Sequence, residues 1–125
     1  MGLIHIIEDD EIMAECVAEA CRVATPRAKI QVFSNAITAI QAPDTPDLIF
    51  LDILLTGPDG FTYLNEIASY PDAATIPVVI ISSLDFRHRD LSPYGVVATL
   101  DKSTMKPADI QKYTRRYLRE SSDAD

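Results

Sequence analysis

No apolar run in this chain of 125 residues is long enough to cross a bilayer. The N-terminus also lacks a basic stretch followed by an apolar one and a cleavage site, so the expectation is a soluble, cytoplasmic protein. Positive charge is scarce. Eleven Lys and Arg stand against 19 Asp and Glu, a formal net charge of -8. That balance speaks against nucleic acid and against anionic membranes, both of which need a basic face. Cysteine is scarce too. Cys16 and Cys21 fall on different sides of one predicted helix, which is poor geometry for a mutual disulfide. Without metal-ligand spacing they read as buried small hydrophobes in a reducing compartment. There is no internal repeat, low-complexity segment or linker, so the chain reads as one domain with a proper core.

What is present is organised around Leu48-Ile49-Phe50-Leu51-Asp52, continued by Ile53-Leu54-Leu55. A run this apolar, between Pro46-Asp47 and Gly57-Pro58-Asp59-Gly60, reads as a strand buried on both faces. Its one charge, Asp52, sits where the run gives way to turn chemistry. A buried carboxylate is costly unless paired or metal-bound, and strand C-terminal ends are where open parallel sheets bind ligands. Asp52 is therefore the first candidate functional residue.

The rest of the chain alternates in type. Leu3 to Ile7 reads as a strand, closed by the acidic cluster Glu8-Asp9-Asp10-Glu11. Helical spacing from Glu11 to about Ala24 ends at Thr25-Pro26. Lys29 to Phe33 reads as a half-exposed edge strand, and Ser34 or Asn35 can cap a short helix carrying Ile37 and Ile40. Phe61 to Tyr70 reads as a helix and Ile76 to Ile81 as a second fully apolar strand, closed by Ser82-Ser83. Leu84 to Tyr94 allows one or two helical turns, broken early by Ser92-Pro93. Val96 to Leu100 reads as a fifth strand, and Pro107 opens a last helix with Ile110, Tyr113, Tyr117 and Leu118 on its apolar face. Residues 3–120 form the expected domain and 121–125 a polar, flexible tail.

Such alternation predicts an α/β fold: a doubly wound five-stranded parallel sheet with helices on both faces, flavodoxin-like, in the order 2-1-3-4-5. That order puts the three most apolar strands in the middle and the switch point between the first and third. Glu8 and Asp9, Asp52, Ser82 and Lys102 then meet at adjoining strand ends. Crowded carboxylates are tolerable mainly around a cation, and oxygen ligands with retained water suit Mg²⁺. Lysine, hydroxyl and metal together cradle a phosphoryl group on Asp52, a carboxylate nucleophile that yields an acyl phosphate.

These residues in this order resemble the receiver domain of bacterial response regulators, the CheY-like domain of two-component signalling. The motifs are Ile6-Ile7-Glu8-Asp9-Asp10, Asp52 through Gly60, Val79-Ile80-Ile81-Ser82-Ser83, and Gly95 through Lys102. The resemblance implies that Asp52 accepts a phosphoryl group from a phosphohistidine on a sensor histidine kinase or histidine phosphotransfer protein. It implies Mg²⁺ on Asp9, Asp52 and the backbone carbonyl of Leu54, with Glu8 acting through a metal-bound water. Ser82 and Lys102 would contact the phosphoryl oxygens. Asp10 would be the adjacent, non-ligating residue. The chain departs from the family pattern in several places. Thr99 stands where an aromatic residue is usual, and Ser103 rather than proline follows Lys102. Thr56 replaces the usual proline after the phosphoacceptor, and the segment between Ser82 and Gly95 is about two residues short. Lys106, followed by Pro107, is a rival for the lysine role.

Blander readings stand beside these. Asp52 could cap a turn, Lys102 could be a solvated surface lysine, and Asp10 and Glu11 suit a helix N-terminus through the macrodipole. His5 and His88 read as structural or exposed, and Arg115, Arg116 and Arg119 as a solvated face. The resulting expectation is a stand-alone response regulator, not an enzyme beyond assisting its own phosphorylation and dephosphorylation. It signals by changed docking on an unknown output protein, as a monomer or weak dimer. The alternative is a phosphorylation-independent interaction module on the same fold. An Asp-based phosphatase of the haloacid dehalogenase class is a distant third, because its second Asp would fall at Leu54. A flavodoxin-like electron carrier is disfavoured, since Glu8-Asp9-Asp10 would repel its phosphate.

Overall fold

The computed structural model describes residues 2–53, 60–70, 75–83 and 90–118. Five strands, β1 (Leu3–Ile7), β2 (Lys29–Phe33), β3 (Leu48–Asp52), β4 (Val78–Ser82) and β5 (Val96–Asp101), form one sheet in the order β2-β1-β3-β4-β5. Every pairing is parallel. The helices among the described residues are α1 (Glu11–Ala24), α2 (Ala36–Ile40), α3 (Gly60–Ala68) and α4 (Pro107–Tyr117). The doubly wound order read from the alternation is the order observed.

Each central strand alternates its side chains between two cores, as the pleat requires. Ile4 and Ile6 of β1, Leu48 and Phe50 of β3, and Val79 and Ile81 of β4 face α1 and α4. Ile7, then Ile49 and Leu51, then Val78 and Ile80 face α2 and α3. Because both faces are covered, β3 and β4 are buried at every position, and their unbroken apolar runs follow from that. β2 lies at the margin with mixed exposure.

The helix starts obey local chemistry. The Asp10 carboxylate accepts from the N–H groups of Ile12 at 2.9 Å and Met13 at 3.1 Å, which caps α1. Asn35, not Ser34, caps α2 by accepting from the Thr38 N–H at 2.8 Å. The Asp109 carboxylate accepts from the Lys106 N–H at 2.8 Å at the start of α4. Ile110 and Leu118 are buried against the α1 side, with Tyr113 and Tyr117 packed beside them.

Several details differ from the sequence-based expectation. Cys16 is exposed rather than buried; only Cys21 lies in the core, under Thr114. The helical period explains this, since five positions turn the two thiols to different sides. Ser92–Tyr94 forms a 3-10 turn with Pro93 in it, closed by Gly95 at φ 81°; the one or two helical turns expected before it fall at 84–89, outside the described residues. β4 starts at Val78, leaving Pro77 just outside the ladder, where its carbonyl accepts from the Ile49 N–H at 3.0 Å. α3 stops at Ala68, two residues short of Tyr70, and β5 runs on to Asp101. His5 is buried, with its ring edge-on to Phe33 at 4.8 Å. The positions of Leu54, Thr56, His88, Arg119 and the tail 121–125 lie outside the described residues.

Candidate functional site

The alternation that builds the α1 and α4 core also aims the site. Glu8 follows Ile4 and Ile6 in the pleat, Asp52 follows Leu48 and Phe50, and Lys102 follows Ala98 and Leu100. All three side chains therefore leave the sheet on the same face, at its C-terminal edge. Ser82 closes β4 immediately after Ile81, the register partner of Asp52, and is fully buried.

The Lys102 ammonium sits 3.0 Å from Glu8 Oε1 and 3.1 Å from Asp52 Oδ2. Glu8 and Asp52 are 4% and 3% exposed, so water cannot solvate either carboxylate and the ammonium takes that place. The Asp10 N–H donates to Glu8 Oε2 at 3.2 Å, and the Lys102 N–H donates to the Ser82 carbonyl at 3.0 Å. Glu8, Asp9 and Asp52 each offer an oxygen within 4.8 Å of the others. Lys106, the rival lysine, is exposed at the start of α4, and its N–H is engaged by Asp109. The sequence candidates Glu8, Asp9, Asp52 and Lys102 are thus brought together, with Ser82 on the neighbouring strand. The carbonyl of Leu54 belongs to the residues not described.

Electrostatics follow from this crowding. Burial pushes the Glu8 carboxyl up to about 7, helped by a hydrogen bond with Asp52; the bonds from Lys102 and the Asp10 N–H oppose the shift without cancelling it. Burial works against the Lys102 ammonium, yet hydrogen bonds to Glu8 and Asp52 outweigh it and hold its pKa above the ordinary value. When fully ionised, three carboxylates and one ammonium leave a charge of 1 − 3 = −2. That surplus is the complement of a divalent cation, and an all-oxygen donor set fits Mg²⁺. The direct grip of Lys102 on Glu8 was not read from the sequence. The signal was available in the pleat parity that Glu8 shares with Asp52.

Comparison with known proteins agrees with this geometry. The chain is 45% identical over 49 residues to the response regulator PleD of Caulobacter vibrioides, covering 39% of this chain and 11% of that protein. It is 28% identical over 116 residues to the DNA-binding dual master transcriptional regulator RpaA of Synechocystis, covering 93% of this chain and 47% of RpaA. The chain therefore spans less than half the length of either relative. The receiver domain of the sensor histidine kinase PA1611 from Pseudomonas aeruginosa, solved with magnesium in its active-site cleft, superposes with a TM-score of 0.79. The two share 19% identity and align over 95% of this chain and 98% of that one, a likeness of fold. Residues 4–115 match the family model described as the response regulator receiver domain, and the chain belongs to that family of two-component signalling domains.

Proposed function

We propose that Asp52 accepts a phosphoryl group from a phosphohistidine on a sensor histidine kinase or histidine phosphotransfer protein, with Mg²⁺ required. The acyl phosphate then changes how the domain, residues 3–120, docks on an output protein. The observation that carries this reading is the Lys102 ammonium seated 3.1 Å from Asp52 Oδ2 inside a carboxylate cluster. A lysine so placed has no need to capture a ligand of its own. It stands beside the carboxylate that attacks phosphorus, within reach of the oxygens of an incoming phosphoryl group.

A carboxylate oxygen of Asp52 attacks phosphorus in line, and the P–N bond to the donor histidine breaks. The electron pair leaves with the imidazole, which takes up a proton. Lys102 keeps one hydrogen-bond donor on the attacking carboxylate and can turn another to a phosphoryl oxygen. The Ser82 hydroxyl serves a second phosphoryl oxygen from the next strand. Asp9, Asp52 and the carbonyl of Leu54 would hold Mg²⁺, with Glu8 reaching it through a bound water. When bound, the cation neutralises charge on the transferred oxygens. The domain catalyses only its own phosphorylation and dephosphorylation. It works in the cytoplasm as a monomer or weak dimer, and no helix among the described residues is long and apolar enough to cross a membrane.

Incubation with acetyl phosphate and Mg²⁺, read by intact mass, tests the proposal. One added phosphate, acid-stable and base-labile, is expected on the parent and none on Asp52→Asn. Absence of added phosphate on the parent overturns it. A second reading, docking independent of phosphorylation, is favoured by one feature. Thr99, half-buried on β5 opposite Ile80, is too small to change rotamer between inward and outward positions as a large ring does. Beryllofluoride with Mg²⁺ separates the two: amide shifts around Asp52 support the phosphoacceptor, and an unchanged spectrum supports the scaffold.

A further inference from the structure

Lys102 opens the turn between β5 and α4, immediately after the last strand residue, Asp101. A lysine carries its charge on a flexible four-carbon stem, so the ammonium reaches one place reliably only if the main chain beneath it is fixed. One side of that main chain is tied by the Lys102 N–H, which donates to the Ser82 carbonyl at 3.0 Å. The other side is tied by Asp101. Its Oδ1 accepts from the Ser103 N–H at 2.8 Å and from the Ser103 hydroxyl at 2.7 Å. Its carbonyl accepts from the Thr104 N–H at 3.1 Å and from the Met105 N–H at 2.8 Å.

The result is an Asx turn, in which the carboxylate stands in for a backbone carbonyl. Lys102 is the residue that the carboxylate bridge spans, so the bridge restricts its φ and ψ directly. Met105 packs on the α1–α4 core and gives the turn a second fixed end. Ser103 permits the arrangement, because a proline there would lack the N–H that Oδ1 takes up. Asp101 itself is exposed and is the register partner of Ser82. By pleat parity it leaves the sheet on the opposite face from Leu100 and Lys102. Its influence on the cluster therefore runs through the turn and not through contact with a phosphoryl group.

We propose that Asp101 is a positioning residue: its carboxylate fixes the turn carrying Lys102, seats the ammonium against Asp52 and Glu8, and so speeds phosphoryl transfer to Asp52. The last clause rests on the phosphoacceptor reading; the link from Asp101 to Lys102 does not.

The test is a double-mutant cycle. The rate of phosphate gain from acetyl phosphate with Mg²⁺ is read by intact mass in the parent, Asp101→Ala, Lys102→Met and the double variant. Asp101→Ala should slow the parent about three- to twentyfold. In the Lys102→Met background, followed over longer incubation, the same change should alter the rate by less than about twofold, because no ammonium is left to place. Asp101→Asn keeps an accepting oxygen and should stay within about twofold of the parent. Urea unfolding in EDTA supplies a readout without phosphoryl transfer: Asp101→Ala should lower the folding constant at least about threefold more in the parent than in Lys102→Met. Where Asp101→Ala does not fold, Ser103→Ala replaces it, expected about two- to fourfold slower in the parent and no slower in Lys102→Met. The proposal is overturned by equal slowing in both backgrounds, by a parent-like rate in Asp101→Ala, by Asp101→Asn as slow as Asp101→Ala, or by additive stabilities. A parent that gains no phosphate ends the phosphoacceptor reading instead, and the urea cycle alone then decides whether Asp101 places Lys102.

Discussion

Lys102, just beyond the outer strand β5, hydrogen-bonds at 3.1 Å to Asp52 at the end of β3, reaching over the tip of β4 between them. The same ammonium holds Glu8 of the β1 end at 3.0 Å. One flexible cation therefore balances two buried carboxylates drawn from the adjacent strands β1 and β3.

Removing that cation leaves Glu8 and Asp52 facing each other without compensation. In Lys102→Met the metal-free protein should lose about 2–4 kcal/mol, since breaking a buried pair strands its partner charges. The variant should also bind Mg²⁺ about three- to tenfold more tightly, because a competing positive charge is gone. Urea unfolding in EDTA and isothermal titration with Mg²⁺ read the two effects.

The raised Glu8 carboxyl sets a pH dependence. Its folded-state pKa of about 7 exceeds the ordinary 4.5, so the folded protein holds that proton more tightly than the unfolded chain. Its contribution to stability is complete below pH 4.5, falls as pH rises, and is lost above about 7. Urea midpoints in EDTA should decline across that window for the parent. Glu8→Gln, which cannot titrate, should show a flatter profile, and the difference between the two isolates the effect.

Mg²⁺ affinity should run the opposite way. The cation favours the ionised form of Glu8, so apparent affinity rises as pH passes through about 7, with protons released on binding. Titration calorimetry in buffers of different ionisation enthalpy counts those protons. In Glu8→Gln the release should vanish.

Gly60 opens α3 against the backbone that carries Asp52. A Cβ there would meet Ile53 Cα at 2.6 Å and the Asp52 carbonyl oxygen at 3.0 Å, both main-chain atoms that cannot swing aside. Gly60→Ala should therefore cost about 1–3 kcal/mol in urea unfolding. It should also disturb amide shifts around Asp52 more than elsewhere, which NMR of the folded variant reads.

The elements that were legible in the sequence are those whose environment leaves a periodic mark. β3 and β4 are buried on both faces, so their residues form unbroken apolar runs, and the acidic cluster and Asp52 stand out against such runs. The strand order then followed from which runs were most apolar. Other features leave no such mark. Burial of Cys21 but not Cys16 depends on how α1 rotates over the sheet, which the mutual packing of α1 and α4 decides. The 3-10 turn at Ser92–Tyr94 uses a proline that sequence rules read as a breaker. The grip of Lys102 on Glu8 crosses 94 positions; pleat parity puts both side chains on one face, but only tertiary convergence brings them into contact. His5, the one polar residue in the first strand, read as structural or exposed; its burial against Phe33 and Gln31 is visible only once the neighbouring strand is in place.

Lys102 is fastened twice: its N–H donates to the Ser82 carbonyl while its ammonium grips Asp52. Main chain and side chain of a single residue, which also holds Glu8, thus clasp the ends of three strands, β4, β3 and β1. A change of charge at Asp52 therefore bears directly on the residue whose main chain ties the end of β5 to the end of β4.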